Sequence, residues 1–308
     1  MPEDERWPRS TSVRVGRLTG DNRAMAGQPG SGPAGVLRGL LLACHPGPTV
    51  AVTALTTALA AGVGNRAGDV MLVGAAVLAG QLSIGWSNDW IDAARDRAVG
   101  RSDKPAATGA VSAALVGVAG FLAAVVAVPL SLALGWRAAL AAFVVIIGGW
   151  AYNAGMKATA LSWLPYAVAF GSVPAIASLT LPAHPLPPLW AAAAGALLGI
   201  GAHLANVLPD LEQDRATGVR GWPHRLGRTR TAVLAPVLLL LATLSVVFGP
   251  AAGPGVASWI GLGVAIVLAG SAALVALRRA RSRLPFLLTI GVAVVDVVLL
   301  IAAGSRLQ

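Results

Sequence analysis

The sequence predicts an all-α, polytopic membrane protein built as a bundle of nine transmembrane helices. Three observations carry that prediction: an apolar composition, apolar runs of bilayer-crossing length, and a one-sided distribution of positive charge. Of 308 residues, 56% are hydrophobic and only 12% charged, about half the roughly 25% charge of an average soluble domain. Mean hydropathy is +0.72. Long apolar segments, rather than two globular domains, use up the length.

A span needs ~20 mostly apolar residues. Residues 1–36 have no such segment and lack the roughly 7–15-residue apolar stretch of a secretory leader. They are polar, rich in Gly, Pro and Ser, and read as a disordered cytoplasmic tail. Residues 37–308 form the transmembrane domain, with spans at about 37–61, 70–90, 110–131, 137–154, 161–181, 188–208, 230–249, 256–277 and 285–303. Short Gly/Pro turns such as PAHPLPP and GPAAGPG separate several of them.

Positive charge sets orientation. With the N-terminus in the cytoplasm, every Lys and Arg except Arg66, Arg137 and Arg306 falls on the inner side, and the C-terminus lies outside. The net charge of +10 therefore points to membrane placement and lipid contact, not to a nucleic-acid partner. A single cysteine, Cys44, excludes an internal disulfide and a cysteine-built zinc site.

The acidic residues carry the chemistry. Seven of the 13 lie in two inner loops: Asp89, Asp92, Asp96 and Asp103, then Asp210, Glu212 and Asp214. The second span ends in NDWIDAARDR and the sixth in NVLPDLEQDR, which share the pattern N-x-x-x-D-x-x-x-D-R. The first copy is Asn88, Asp92, Asp96 and Arg97, with Asp89 added; the second is Asn206, Asp210, Asp214 and Arg215. A spacing of four puts these side chains on one helix face, where like charges repel. A hard cation resolves the conflict. Mg²⁺ takes oxygen ligands and binds through one or two carboxylates plus substrate phosphates. Two such helices would hold Mg²⁺ with a diphosphate between them, and Arg101, Lys104, Lys157 and Arg220 would clamp the remaining phosphate oxygens. The plain alternative is a pair of solvated helix ends balanced by neighbouring arginines; a matching pair at equal depth argues against it.

At these residues the sequence resembles the UbiA-type superfamily of intramembrane prenyltransferases. Asn88, Asp89, Asp92 and Asp96 match its first signature, N-D-x-x-D-x-x-x-D, and Asp210 and Asp214 match its second, D-x-x-x-D. Lys104–Pro105, Leu226–Gly227, and Tyr152 with Lys157 after the fourth helix agree as well. The resemblance implies that Mg²⁺ on the five aspartates holds an isoprenyl diphosphate whose tail lies in the bundle. Ionisation then gives an allylic cation, captured by an acceptor that is often aromatic. Two departures stand out. His45–Pro46 occupies the place of an Arg-Pro pair in many members, and Gly221-Trp222-Pro223 follows Arg220 where a Thr is common.

The expected activity is Mg²⁺-dependent transfer of a prenyl chain from its diphosphate to an aromatic or quinone-precursor acceptor. A related cyclase acting without an acceptor, phosphoribosyl transfer to a polyprenyl phosphate, and an ion-coupled carrier are the alternatives. Weaker signals include His45 and His203 as groups near substrate, Asp296 in the ninth span, and Trp86, Trp90 and Trp150 near the first motif. An intramembrane carboxyl is a functional candidate by default. The tryptophans read first as an interfacial belt, and second as cation–π partners of a carbocation.

Overall fold

The computed structural model describes residues 32–279 and 282–307. Most of the expected tail and part of the RRARSR run fall outside the described residues. Helix α1 (Pro33–Ala43) already begins at Pro33, where a missing N–H costs nothing in a first turn.

The first apolar interval is not one rod. α1 and α2 (Pro46–Gly62) meet at a 63° bend. Pro46 starts α2 and disfavours helical backbone at the residue before it. His45 accordingly takes a left-handed conformation, with φ of 55°. α3 (Ala67–Ala98) is 32 residues long, about 48 Å at 1.5 Å per residue, against a hydrocarbon core of about 30 Å. Asp89 lies about 33 Å along that axis. The acidic turns of α3 therefore reach past the apolar layer.

The short α4 (Pro105–Thr108) leads to α5 (Ala113–Leu132), α6 (Trp136–Asn153), α7 (Leu164–Leu179) and α8 (Leu189–Val207). α9 (Leu211–Ala216) and α10 (Trp222–Leu226) are short. The apolar helices α11 (Arg228–Phe248), α12 (Val256–Arg278) and α13 (Leu284–Ala302) close the chain. α3, α6, α7, α8, α11, α13 and α2 pack in a closed ring, with α5 outside α3 and α6, and α12 outside α11 and α13. Small residues allow close approach: an added Cβ on Gly195 or Gly199 of α8 would stand 2.4 Å from a carbonyl oxygen of α7.

All nine expected intervals are helical among the described residues. Six of the helices are long and apolar enough to cross a membrane, and the bent α1–α2 pair makes a seventh. α7, with 16 residues, is only about 24 Å long, and α6 carries Arg137 at its start and Tyr152 and Asn153 at its end. The count of nine crossings is thus not established by length and composition. The second motif also departs from expectation. α8 stops at Val207, Leu208–Asp210 form a turn, and Asp210 precedes α9. Pro209 has no N–H to continue the ladder. Asn206 and Asp210 therefore do not share one continuous helix face, whereas the first motif lies wholly on α3.

Candidate active site

The first motif is buried. Asp89, Asp92 and Asp96 are 2%, 5% and 4% exposed, on the last turns of α3. Ionised carboxylates at such burial need partners, and three loops, through His45, Lys104 and Lys157, and α3 itself, through Arg95, supply them. Lys104, just before α4, donates to Asp89 Oδ1 at 2.7 Å, to Asn88 Oδ1 at 3.1 Å and to His45 Nε2 at 2.8 Å. His45 Nε2 also stands 3.2 Å from Asp89 Oδ1, so this nitrogen accepts from the lysine when the ring proton is on Nδ1 and donates to the carboxylate when Nε2 carries a proton. Lys157, in the turn between α6 and α7, donates to both oxygens of Asp92 at 2.5 Å. Arg95 lies 2.9 Å from Asp92 and 3.5 Å from Asp96.

Asn88 is oriented from behind. Its amide donates to Asn153 Oδ1 at 3.1 Å, while Asn153 donates to the Ile84 carbonyl and to Ser87 Oγ at 2.9 and 2.8 Å. Asn153 escaped the sequence analysis; its position at the apolar-to-polar end of α6, one residue after Tyr152, was the available signal.

Arg101 ties the loop after the first motif to the second motif. It grips Asp103 with two bonds, at 2.8 and 2.7 Å, and reaches Asp210 Oδ2 at 3.5 Å. The paired bond to Arg101 holds the Asp103 carboxyl down, at about 2, and the same bond raises the guanidinium. Burial pushes the Lys157 ammonium below the ordinary lysine range, against the pull of Asp92. Asp214 of the second motif lies 3.4 Å from His224 Nε2. Loops following α3, α6 and α8 thus converge: a Cβ on Gly221 would stand 2.4 Å from the Lys157 carbonyl.

Beside this charged cluster lies a cavity of about 220 Å³. His45, Asn88 and Asn206 line it along with the apolar Val52, Val145 and Val173 and the rings of Tyr152, Tyr166 and Phe170. Tyr166 and Phe170 stack at 6.3 Å, and Tyr152 meets Tyr166 edge-on at 5.1 Å. Neither Tyr166 nor Phe170 was singled out from sequence, since both sit inside an apolar run and only the packing of α7 turns them inward.

His203 does not line the cavity. It is 1% exposed, beside Tyr152 and Tyr166 at 5.6 and 4.8 Å. Ser162 Oγ accepts the Trp222 N–H at 2.9 Å and is hydrogen-bonded to His203 Nε2 at 3.0 Å. The tryptophans near the first motif also face elsewhere, so the cation–π expectation is corrected. Trp86 donates to the Leu40 carbonyl, Trp150 donates to Ser83, and Trp90 clusters with Phe121 and Trp150. Asp296, 2% exposed, accepts from Thr243 on the α11–α13 seam, away from the cavity. Arg220 is exposed and lies with Arg215 and Arg225 rather than on a carboxylate.

The sequence pattern of the UbiA prenyltransferase family matches residues 49–290, a stretch that includes both acidic motifs and most of the cavity lining. The chain belongs to the UbiA prenyltransferase family. Solved structures share its fold. A UbiA homologue from Archaeoglobus fulgidus bound to GPP and Mg²⁺ superposes with a TM-score of 0.67 at 16% identity, covering 86% of this chain and 98% of that one. A digeranylgeranylglyceryl phosphate synthase gives 0.64 at 16% identity, over 88% and 99%. An apo UbiA homologue from Aeropyrum pernix K1 gives 0.62 at 20% identity, over 87% and 97%. At these identities the likeness is one of fold. No curated protein matches the chain. Members of the family are prenyltransferases, and this chain is an integral membrane protein.

The site suits the divalent ion seen in the A. fulgidus homologue. Its donors are carboxylate oxygens, the ligands of a hard cation. Asp89 Oδ2 is buried without a hydrogen-bond partner among the described residues. No three His, Cys, Asp or Glu side chains among the described residues form a ready cage.

Proposed function

We propose that this chain is a Mg²⁺-dependent prenyltransferase that moves an isoprenyl chain from its diphosphate to an aromatic or quinone-precursor acceptor. The observation that carries the reading is a cluster of three buried carboxylates and two half-buried lysines that adjoins an apolar, aromatic-lined cavity through His45 and Asn88. Asp89, Asp92, Asp96, Asp210 and Asp214 would hold the ion. Bound there, it would stabilise charge on the departing diphosphate.

The chain's own residues do the rest. Lys104 and Lys157, now paired with Asp89 and Asp92, would turn to phosphate oxygens in the loaded site, and Arg101, held by Asp103, would offer its remaining N–H groups. Asn88 and Asn206 position the diphosphate at the cavity mouth. Tyr152, Tyr166 and Phe170 enclose the prenyl tail and exclude water, which would otherwise capture the cation. As the C–O bond breaks, its electron pair leaves with the diphosphate. The acceptor's π electrons form the new C–C bond, and its ring then releases a proton. His45, which lines the cavity beside Lys104 and Asp89, is the residue set to meet the acceptor. His203 acts one shell further out, steadying the two tyrosines.

In the membrane, nine helical segments cross with the N-terminus and the site facing the cytoplasm and the C-terminus outside, as the arginine distribution requires. The test uses purified protein with Mg²⁺ and geranyl, farnesyl or geranylgeranyl diphosphate, with and without aromatic acceptors, following pyrophosphate and extracted products. Turnover that needs an acceptor and yields a prenylated aromatic is expected. A cyclic hydrocarbon formed with no acceptor would overturn the transferase reading.

A further inference from the structure

Beyond the donor site, a second charged concavity opens at the same end of the bundle. We propose that Arg215, Arg220, Arg225 and His224 form a separate binding site for a phosphate group. The four residues line a cavity of about 370 Å³. Three guanidiniums share it, and none has an ion pair among the described residues; of the second motif's acids, Asp210 pairs with Arg101, Glu212 with Arg228, and Asp214 faces His224. Like charges gathered in this way repel unless an anion joins them.

The cluster is built rather than scattered. Gly218, with φ of 86°, turns the chain between α9 and Arg220. The Arg215 guanidinium donates to the His224 carbonyl, and Arg225 Nε donates to the Arg220 carbonyl at 3.1 Å. Two arginines are thus held in place by neutral main-chain oxygens, with N–H groups left over. His224 is 3% exposed, and neither ring nitrogen has a hydrogen bond among the described residues. Its nearest charge is Asp214 Oδ2, at 3.4 Å. Setting membrane orientation needs only charge, which free side chains supply; it does not need anchored forks around a cavity.

Several planar forks converging on one point suit an oxyanion with several oxygens, as a phosphate has. Basic pockets between helices at the polar edge of a bilayer are where lipid head groups bind. The phosphate belongs either to an anionic phospholipid or to a soluble molecule, and the probes separate the two.

Wild-type protein, the R215Q/R220Q/R225Q variant and an R278Q/R279Q control are compared in detergent, with no prenyl diphosphate present, so that binding is read apart from turnover. Native mass spectrometry measures retained phosphatidylglycerol against phosphatidylcholine; thermal shift measures inorganic phosphate. The wild type and the control should prefer phosphatidylglycerol, and the triple variant should lose at least about tenfold of that preference. A matching stabilisation by inorganic phosphate would identify a soluble source; a response to lipid alone would identify a head group. Equal binding of both probes by wild type and triple variant would overturn the proposal, as would an equal loss in the control. Should the triple variant fail to fold, Arg220→Gln alone serves, because Arg220 is exposed and its side chain makes no hydrogen bond among the described residues; a severalfold loss is then expected, and none would overturn the site.

Discussion

His45 shows how one residue ties backbone strain to the site. A non-glycine residue in the left-handed region costs roughly 1–3 kcal/mol and persists only where its surroundings demand it. Here Pro46 excludes the helical alternative, and Lys104 fixes the ring beside Asp89. His45→Gly removes the strain but also a hydrogen bond to a charged group, worth roughly 1.5–3 kcal/mol. The two nearly offset, so the melting temperature should change little while pyrophosphate release falls about tenfold. A parallel loss of stability and activity would show that His45 is structural only.

Asp103 offers a second residue-scale check. Its folded value, about 2, lies below the ordinary value of about 3.9. Between the two the unfolded chain binds more protons, so stability rises with pH there. The contribution is whole above pH ~4 and is lost as pH falls through about 2. The melting-temperature gap between wild type and Asp103→Asn should be constant from neutrality to about pH 4 and close near pH 2; a gap that closes well above pH 4 would refute the paired Arg101.

Among the elements, α3 was the most legible from sequence. An unbroken apolar run followed by N-D-x-x-D-x-x-x-D could only be a helix leaving the membrane, and its burial confirms that the carboxylates look inward. The second motif was legible as a set of residues but not as geometry. Its spacing matched the first, yet Pro209 interrupts the ladder between Asn206 and Asp210. The bend before α2 was written in His45–Pro46, though its purpose emerges only against α3. A Cβ on Gly85 would stand 2.1 Å from the Cys44 carbonyl, so glycine is what lets the bend touch α3. Helical Gly→Ala changes usually gain about 1 kcal/mol, whereas overpacking costs about 1–3 kcal/mol. Gly68→Ala, with nothing within 4 Å, should raise the melting temperature. Gly85→Ala should lower it and weaken turnover by moving His45; equal effects from the two would contradict this packing.

For the whole molecule, composition and charge asymmetry sufficed to predict an all-helical membrane bundle, and every expected apolar interval is helical. The cavity was not legible, because its lining comes from α2, α3, α6, α7 and α8, and no local pattern distinguishes Tyr166 from a lipid-facing ring. The second reading of the tryptophans fails for the same reason: no local pattern tells whether Trp86 and Trp90 on α3, or Trp150 on α6, face the cavity. What the ring of helices achieves is convergence. It sets the buried carboxylates of α3 beside one apolar space, with Arg101 reaching from the loop after them to Asp210 of the second motif. The measurement that tests this most directly is Mg²⁺-dependent pyrophosphate release from geranylgeranyl diphosphate by wild type, Asp92→Asn and Asp214→Asn in detergent. Release that requires Mg²⁺ and falls at least about a hundredfold, or ~2.7 kcal/mol, in each variant is predicted. Release that persists without a divalent ion, or that survives loss of either carboxylate, would contradict the account.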